Sequence, residues 1–267
     1  MNFNGKRVLL TGATGGIGRQ VALQLAQKGA LLALVCFDAE RLHALCDEIA
    51  DMGGTAVAIE ADFSHAHAVE GVAGAAMQQL GGVDVLINNA GILDFVPFQS
   101  QPPNRIAQMV QINVVTPMQL TRALLPGFLA RNSGHVVNIG SAFGAIGFPH
   151  YASYSATKFA MRGFSQALRR ELVDSAVKVT YIAPRAVKTA LNDAAAQRMM
   201  EDGNIAMDEP GAVAALIVQA IEQERRECHL GRPDSFFAWL NGFLPWLVDI
   251  GLRKQTRFAR PYAERKL

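Results

Sequence analysis

The chain has 267 residues, half of them apolar and 18% charged, with a net charge of +2. A chain of this size and composition buries a sizeable core, which excludes global disorder and fits one large domain. Twenty-five basic residues stand against twenty-three acidic ones, so no field of one sign covers the molecule and general nucleic-acid binding has no support.

Met1 to Lys6 leads straight into Val8-Leu9-Leu10, so no secretory signal is expected at the start. Val8 to Thr11 reads as a short strand closed by glycine. Gly16 to Lys28 carries Ile17, Val21 and Leu25 at helical spacing, with Gly29 just past its end. Leu31–Cys36 is a second apolar strand, followed by a helix from Ala39 to about Met52 and a third strand at Ala56–Glu60. Val83–Asn88, Gly134–Ile139 and Lys178–Ala183 read as further strands, and helices fill 66–80, 104–131, 154–174 and 210–224. Apolar strands alternating with helices imply an α/β fold, a doubly wound parallel sheet covered on both faces. The expected division is a Rossmann-type domain over 1–233 and a C-terminal extension over 234–267.

Cys36, Cys46 and Cys228 match no disulfide, zinc or redox spacing, and point to a reducing, cytoplasmic setting. His135, His150 and His229 are scattered and read as structural, and no metal cluster is visible.

The first turn reads Thr11-Gly12-Ala13-Thr14-Gly15-Gly16-Ile17-Gly18 and lies between a strand and a helix. Glycines there let the backbone approach a pyrophosphate, and the helix start offers free N–H groups and a positive dipole end. Tyr154 and Lys158 are four apart and share a helix face. A phenol alone is a poor base at neutral pH. An ammonium beside it favours the phenolate, so the pair is expected to form a general acid/base group with a lowered phenol pKa. Ser141, thirteen residues before Tyr154, can bond the same substrate oxygen, whereas Tyr151 has Ser155, not a lysine, four residues on.

Together these residues resemble the short-chain dehydrogenase/reductase family, over roughly residues 5–230. T-G-x-x-x-G-x-G, Asn88-Asn89-Ala90-Gly91 and Y-x-x-x-K occur in that family's order and spacing. The resemblance implies a nicotinamide dinucleotide held by Thr11, Gly12, Thr14, Gly16, Ile17 and Gly18, with Asp62 at the adenine and Asn89, Ala90 and Gly91 beside it. Pro184, Val187 and Thr189 would line the nicotinamide, Thr189 meeting its carboxamide. Lys158 would hold the ribose and Asn113 a relay water, while Tyr154 exchanges the alcohol proton. Two positions depart from the pattern. Cys36 and Phe37 fill the places that usually select NAD or NADP, leaving Asp38 as either a ribose contact or the cap of the next helix. With no cation between Thr11 and Gly18, the reading leans to NAD over NADP. Arg185 stands where the family has glycine after Pro184.

Ala190–Met207 carries Leu191, Met199, Met200, Ile205 and Met207, as an apolar lid or an ordinary surface helix would. Residues 235–252 hold both tryptophans, and positions 236, 239, 243, 246 and 250 would share one face of a single helix. Gly251 to Leu267 then holds six basic residues and one acid. Three readings stay open for this tail: packing on its own domain or a partner subunit, a peripheral membrane contact through 235–260, and a wall of the substrate pocket. No stretch is long and apolar enough for a spanning helix. The sequence as a whole implies an NAD(P)-dependent oxidoreductase for a small apolar alcohol or ketone, forming a homo-oligomer. A 3-oxoacyl-thioester reductase and an idle dinucleotide-binding sensor are the alternatives.

Overall fold

A computed structural model describes residues 1–65 and 67–265. Seven strands form one parallel sheet: β1 (Arg7–Thr11), β2 (Leu31–Cys36), β3 (Thr55–Glu60), β4 (Val85–Asn88), β5 (His135–Ile139), β6 (Lys178–Ala183) and β7 (Glu227–His229). Their order is β3-β2-β1-β4-β5-β6-β7. Side chains alternate across the sheet, as period-2 strands must. Leu10, Leu32 and Leu34 pack on one face with α1 (Gly16–Gln27), α2 (Ala39–Asp51) and α8 (Pro210–Glu222). Leu9, Ala33 and Val35 pack on the other with α3 (Ala68–Leu80), α5 (Thr116–Ala130) and α6 (Ala152–Glu171). Both faces are dry, which is why the strands read as continuous apolar runs.

The chain builds outward from β1 to β3, then crosses back to place β4 on the other side of β1. That reversal opens a crevice at the carboxyl ends of β1 and β4, the usual ligand position in such a sheet.

Three details differ from the sequence reading. The helix expected over 104–131 is α4 (Pro103–Val110) and α5, joined by a π-helical turn at Gln111–Val115. β7 has three half-buried residues, too short for a periodic signal. The tail is two helices, α9 (Arg232–Phe243) and α10 (Pro245–Ala263), which meet at Leu244. Leu244 takes φ −134° and ψ 62° ahead of Pro245, whose ring disfavours helix at the preceding residue. The single face expected from 236 to 250 is therefore divided between two axes, and the Phe236 side chain lies outside what is described.

Candidate active site

Gly12 has φ +64°, and a Cβ there would stand 2.8 Å from Ala90 Cα. A Cβ on Gly18 would stand 2.1 Å from the Gly12 carbonyl oxygen. Only glycine fits either place, so the β1–α1 turn is a bare backbone cradle of the shape a pyrophosphate needs. Asn89 braces it, donating from Nδ2 to the carbonyls of Thr11 and Gly12 at 3.1 and 3.0 Å. Thr11 Oγ1 accepts from the backbone N–H groups of Asn89 and Ala90, both at 3.0 Å. Thr189 lies over the start of α1, where a Cβ on Gly16 would meet its methyl. Ile17 packs against the core beneath.

Asn113 sits in the π-helical turn, which re-aims a side chain that an unbroken α-helix would present elsewhere. Its amide exchanges two 2.8 Å hydrogen bonds with the Ile92 backbone and donates to Thr157 Oγ1 at 3.1 Å. Lys158, buried on α6, donates from Nζ to the Ile139 carbonyl at 3.0 Å. A Cβ on Gly91 would stand 3.3 Å from Asn113 Oδ1 and 3.7 Å from Lys158 Nζ, so that glycine keeps the space between them open. Ser141, just past β5, caps a short turn through its hydroxyl, which accepts from Phe143 N at 3.1 Å. The structure thus brings Asn113, Ser141, Tyr154 and Lys158 together beside the glycine turn.

The electrostatics correct one expectation. The Tyr154 phenol is pushed up to about 12, not lowered, because burial disfavours the phenolate; the Ser141 hydroxyl, hydrogen-bonded to it, works against that shift. Burial also pulls Lys158 down to about 8. The ammonium is 5.5 Å from the Tyr154 ring centroid and directed at the Ile139 carbonyl. In this dry setting both side chains are held toward their neutral forms.

At the adenosine end, Asp38 caps α2 by accepting from Arg41 N at 3.1 Å. Cys36 is buried and its sulfur lies 2.8 Å from Thr14 Oγ1, while Phe37 is 76% exposed at the rim. Asp62, also on the rim, accepts from Ser64 N at 2.8 Å, a bond that holds its carboxyl below the usual range. Pro184 accepts from Ala142 N at 2.8 Å, tying the end of β6 to the Ser141 turn. Arg185 turns to Asp208 in a two-pronged pair at 2.7 and 2.5 Å, and Val187 is buried and bridged to Asp208.

Apolar side chains surround Tyr154. Tyr151 and Tyr154 share an apolar cluster with Met199 and Met200 of α7 (Ala194–Asp202) and with Ala259, Tyr262 and Ala263 of α10. The two covering helices are pinned together by the Tyr262 hydroxyl donating to Asp202 at 2.7 Å. Arg265 adds a 2.7 Å contact to Asp193. Sequence reasoning missed Thr157, Asp208, Tyr262 and Arg265; Thr157 fills an unspecified place inside Y-x-x-x-K, the other three belong to no local motif, and each has a partner at least 23 residues away.

Comparison with known proteins decides the family. The short chain dehydrogenase family matches residues 6–200. The chain belongs to that family. Among its members, human epidermal retinol dehydrogenase 2 is 32% identical over 248 residues, 91% of this chain and 80% of that protein. The ketoacyl reductase HetN of a Nostoc strain is 33% identical over 226 residues, 84% of this chain and 78% of that one. A Burkholderia phymatum short-chain dehydrogenase/reductase solved with NAD superposes with a TM-score of 0.84 at 25% identity, covering 92% and 96% of the two chains. A metagenomic short-chain oxidoreductase solved with NADP gives a TM-score of 0.70 at 30% identity, covering 82% and 91%. This short-chain dehydrogenase is accordingly an oxidoreductase that takes a nicotinamide dinucleotide, and its glycine cradle fits one.

Proposed function

We propose that this protein interconverts a secondary alcohol and a ketone on a small apolar substrate. The carrying observation is the meeting of Ser141, Tyr154 and Lys158 at the crevice, roofed by apolar side chains. The dinucleotide, held over Gly12, Gly16, Ile17, Gly18, Ala90, Gly91, Pro184, Val187 and Thr189, supplies or accepts the hydride. Thr11 and Asn89 hold that cradle in shape, and Asp62 meets the adenine. Ser141 bonds the substrate oxygen, and Tyr154 gives it a proton in reduction or takes one in oxidation. Lys158 holds the ribose and eases the phenolate, while Asn113 keeps a proton path open toward Lys158. Met199, Met200 and Tyr262 would pack on the substrate's hydrocarbon.

The proposed cofactor preference is NAD. Cys36, Phe37 and the residues from Thr11 to Gly18 offer no cation for a 2′-phosphate, and Asp38 would repel one. A second reading, reduction of a 3-oxoacyl thioester, uses the same groups and is favoured by the similarity to a ketoacyl reductase. Loss of the reduced-nicotinamide absorbance with a panel of apolar ketones and a 3-oxoacyl thioester, each with NADH and NADPH, tests all of this. Consumption only with the thioester moves the assignment to the second reading, and consumption with no carbonyl leaves a dinucleotide-binding protein without turnover.

A further inference from the structure

The elbow between α9 and α10 leaves a run of large apolar side chains in solvent. Phe243 is 69% exposed, Trp246 56% and Ile250 51%, with Leu244 and Leu247 exposed beside them. Soluble chains rarely leave such a contiguous patch uncovered. On α10, Trp246, Ile250, Arg253, Lys254 and Arg257 fall on one helical face, opposite the buried Val248, Ala259 and Tyr262. The exposed face therefore has an order along its axis. Apolar residues fill its first turns, and the first cation follows Ile250 after one turn, roughly 5 Å of rise. Arg253, Lys254, Arg257 and Arg260 are all exposed, and α10 carries one acid, Asp249, for a net charge of +3. Among the described residues, no helix is long and apolar enough to cross a membrane.

We propose that the α9–α10 elbow docks on an anionic lipid surface, with Phe243, Leu244, Trp246, Leu247 and Ile250 among the acyl chains and the cations of α10 at the headgroups. Charge decides between lipid and a second copy of the chain. A two-fold contact sets the patch against itself, and with Asp249 the one acid on α10 a second copy offers the four cations little negative charge to meet. An anionic bilayer offers apolar depth and negative charge at the separation the helix presents. The elbow also adjoins the substrate side. A cleft of about 510 Å³ between α6 and α10 is lined by Phe148, Ala156, Phe159, Asp249, Leu252 and Thr256. Phe148 belongs equally to the cluster around Tyr154. A docked elbow would set this cleft against lipid, where an apolar alcohol or ketone collects. That last step rests on the proposed apolar substrate; the docking itself does not.

Sedimentation of the full-length protein with vesicles separates the two, since it reads no turnover. Vesicles of phosphatidylcholine containing phosphatidylglycerol are expected to pellet the protein at low salt, with a blue shift of tryptophan emission. Added salt or pure phosphatidylcholine should release it. Arg253→Gln with Arg257→Gln should weaken vesicle affinity about 25-fold, taking about fivefold for each cation. Trp246→Ser with Ile250→Ser should abolish pelleting without changing dinucleotide binding. Failure of the unaltered protein to pellet with anionic vesicles overturns the proposal. So does an oligomer in gel filtration that Trp246→Ser with Ile250→Ser converts to monomer, which would make this face a contact between copies.

Discussion

The two walls of the active-site crevice are built from different materials. The cofactor wall is backbone: glycines whose missing Cβ atoms make the space, braced by Thr11 and Asn89 through short polar contacts. The proposed substrate wall is side chains, contributed by α6, α7 and α10, with Phe95 and Met109 behind them. A backbone cradle tolerates no change of residue type, whereas an apolar wall needs only hydrophobicity and volume. The first can thus serve one ligand across a family while the second is free to vary with substrate. The comparison can be broken by variants that act on one wall alone.

Tyr154 stands where the walls meet, and its loss should have the largest effect. Tyr154→Phe removes the proposed proton donor and keeps the ring, so turnover should fall about 10²–10⁴-fold while dinucleotide affinity is unchanged. Retention of more than about a tenth of the rate would show that another group moves the proton.

His135 opens β5, at the end of the strand opposite the crevice. Burial holds its pKa at about 4, and Nε2 lies 2.8 Å from Thr180 Oγ1. The unfolded chain takes up this proton near pH 6.5 and the folded one does not until about pH 4. Stability is therefore full above pH 6.5 and declines as pH falls toward 4, by about 3 kcal/mol from this residue. Urea midpoints between pH 7 and 4 should fall in the native protein and much less in His135→Gln; equal slopes would remove His135 as the cause. Because β5 is central to the sheet, both ligand affinities should be lost together with the fold.

Gly18→Ala attacks the cofactor wall. A methyl 2.1 Å from the Gly12 carbonyl must spread the turn, so affinity for NADH and NADPH should drop together. The expected loss is about tenfold or more by fluorescence titration, and the melting temperature should report how much of it is folding. Affinity for one cofactor alone falling would place the selecting contact inside the turn.

How much of each wall could be read in the sequence follows from the same difference. The cofactor wall rests on glycines and polar residues at fixed local spacing, so Gly12, Gly18, Asn89 and the Tyr154–Lys158 pair were legible as motifs. The sheet was legible because strands buried on both faces leave unbroken apolar runs. The covering helices were not. Met199 and Tyr262 are 63 residues apart and meet only because α10 folds back over α7, and an apolar stripe does not name what it packs on. The break at Leu244 comes from Pro245, which a helical-face count from 236 to 250 does not register. A motif gives neighbours and not burial, so Y-x-x-x-K points to a lowered Tyr154 pKa where burial raises it.

The smallest effect should come from the clasp on the substrate wall. Tyr262→Phe deletes the hydroxyl that ties α10 to Asp202 on α7 and leaves the buried ring in place. Asp202 is exposed and water can replace the lost donor, so the fold should hold. What changes is how firmly the two helices close over Tyr154. KM for an apolar ketone should rise severalfold while the dinucleotide dissociation constant stays where it was, because no part of this clasp touches the glycine turn. A matched fall in dinucleotide affinity would mean that α10 stiffens the whole crevice, and the two walls would then have to be treated as one.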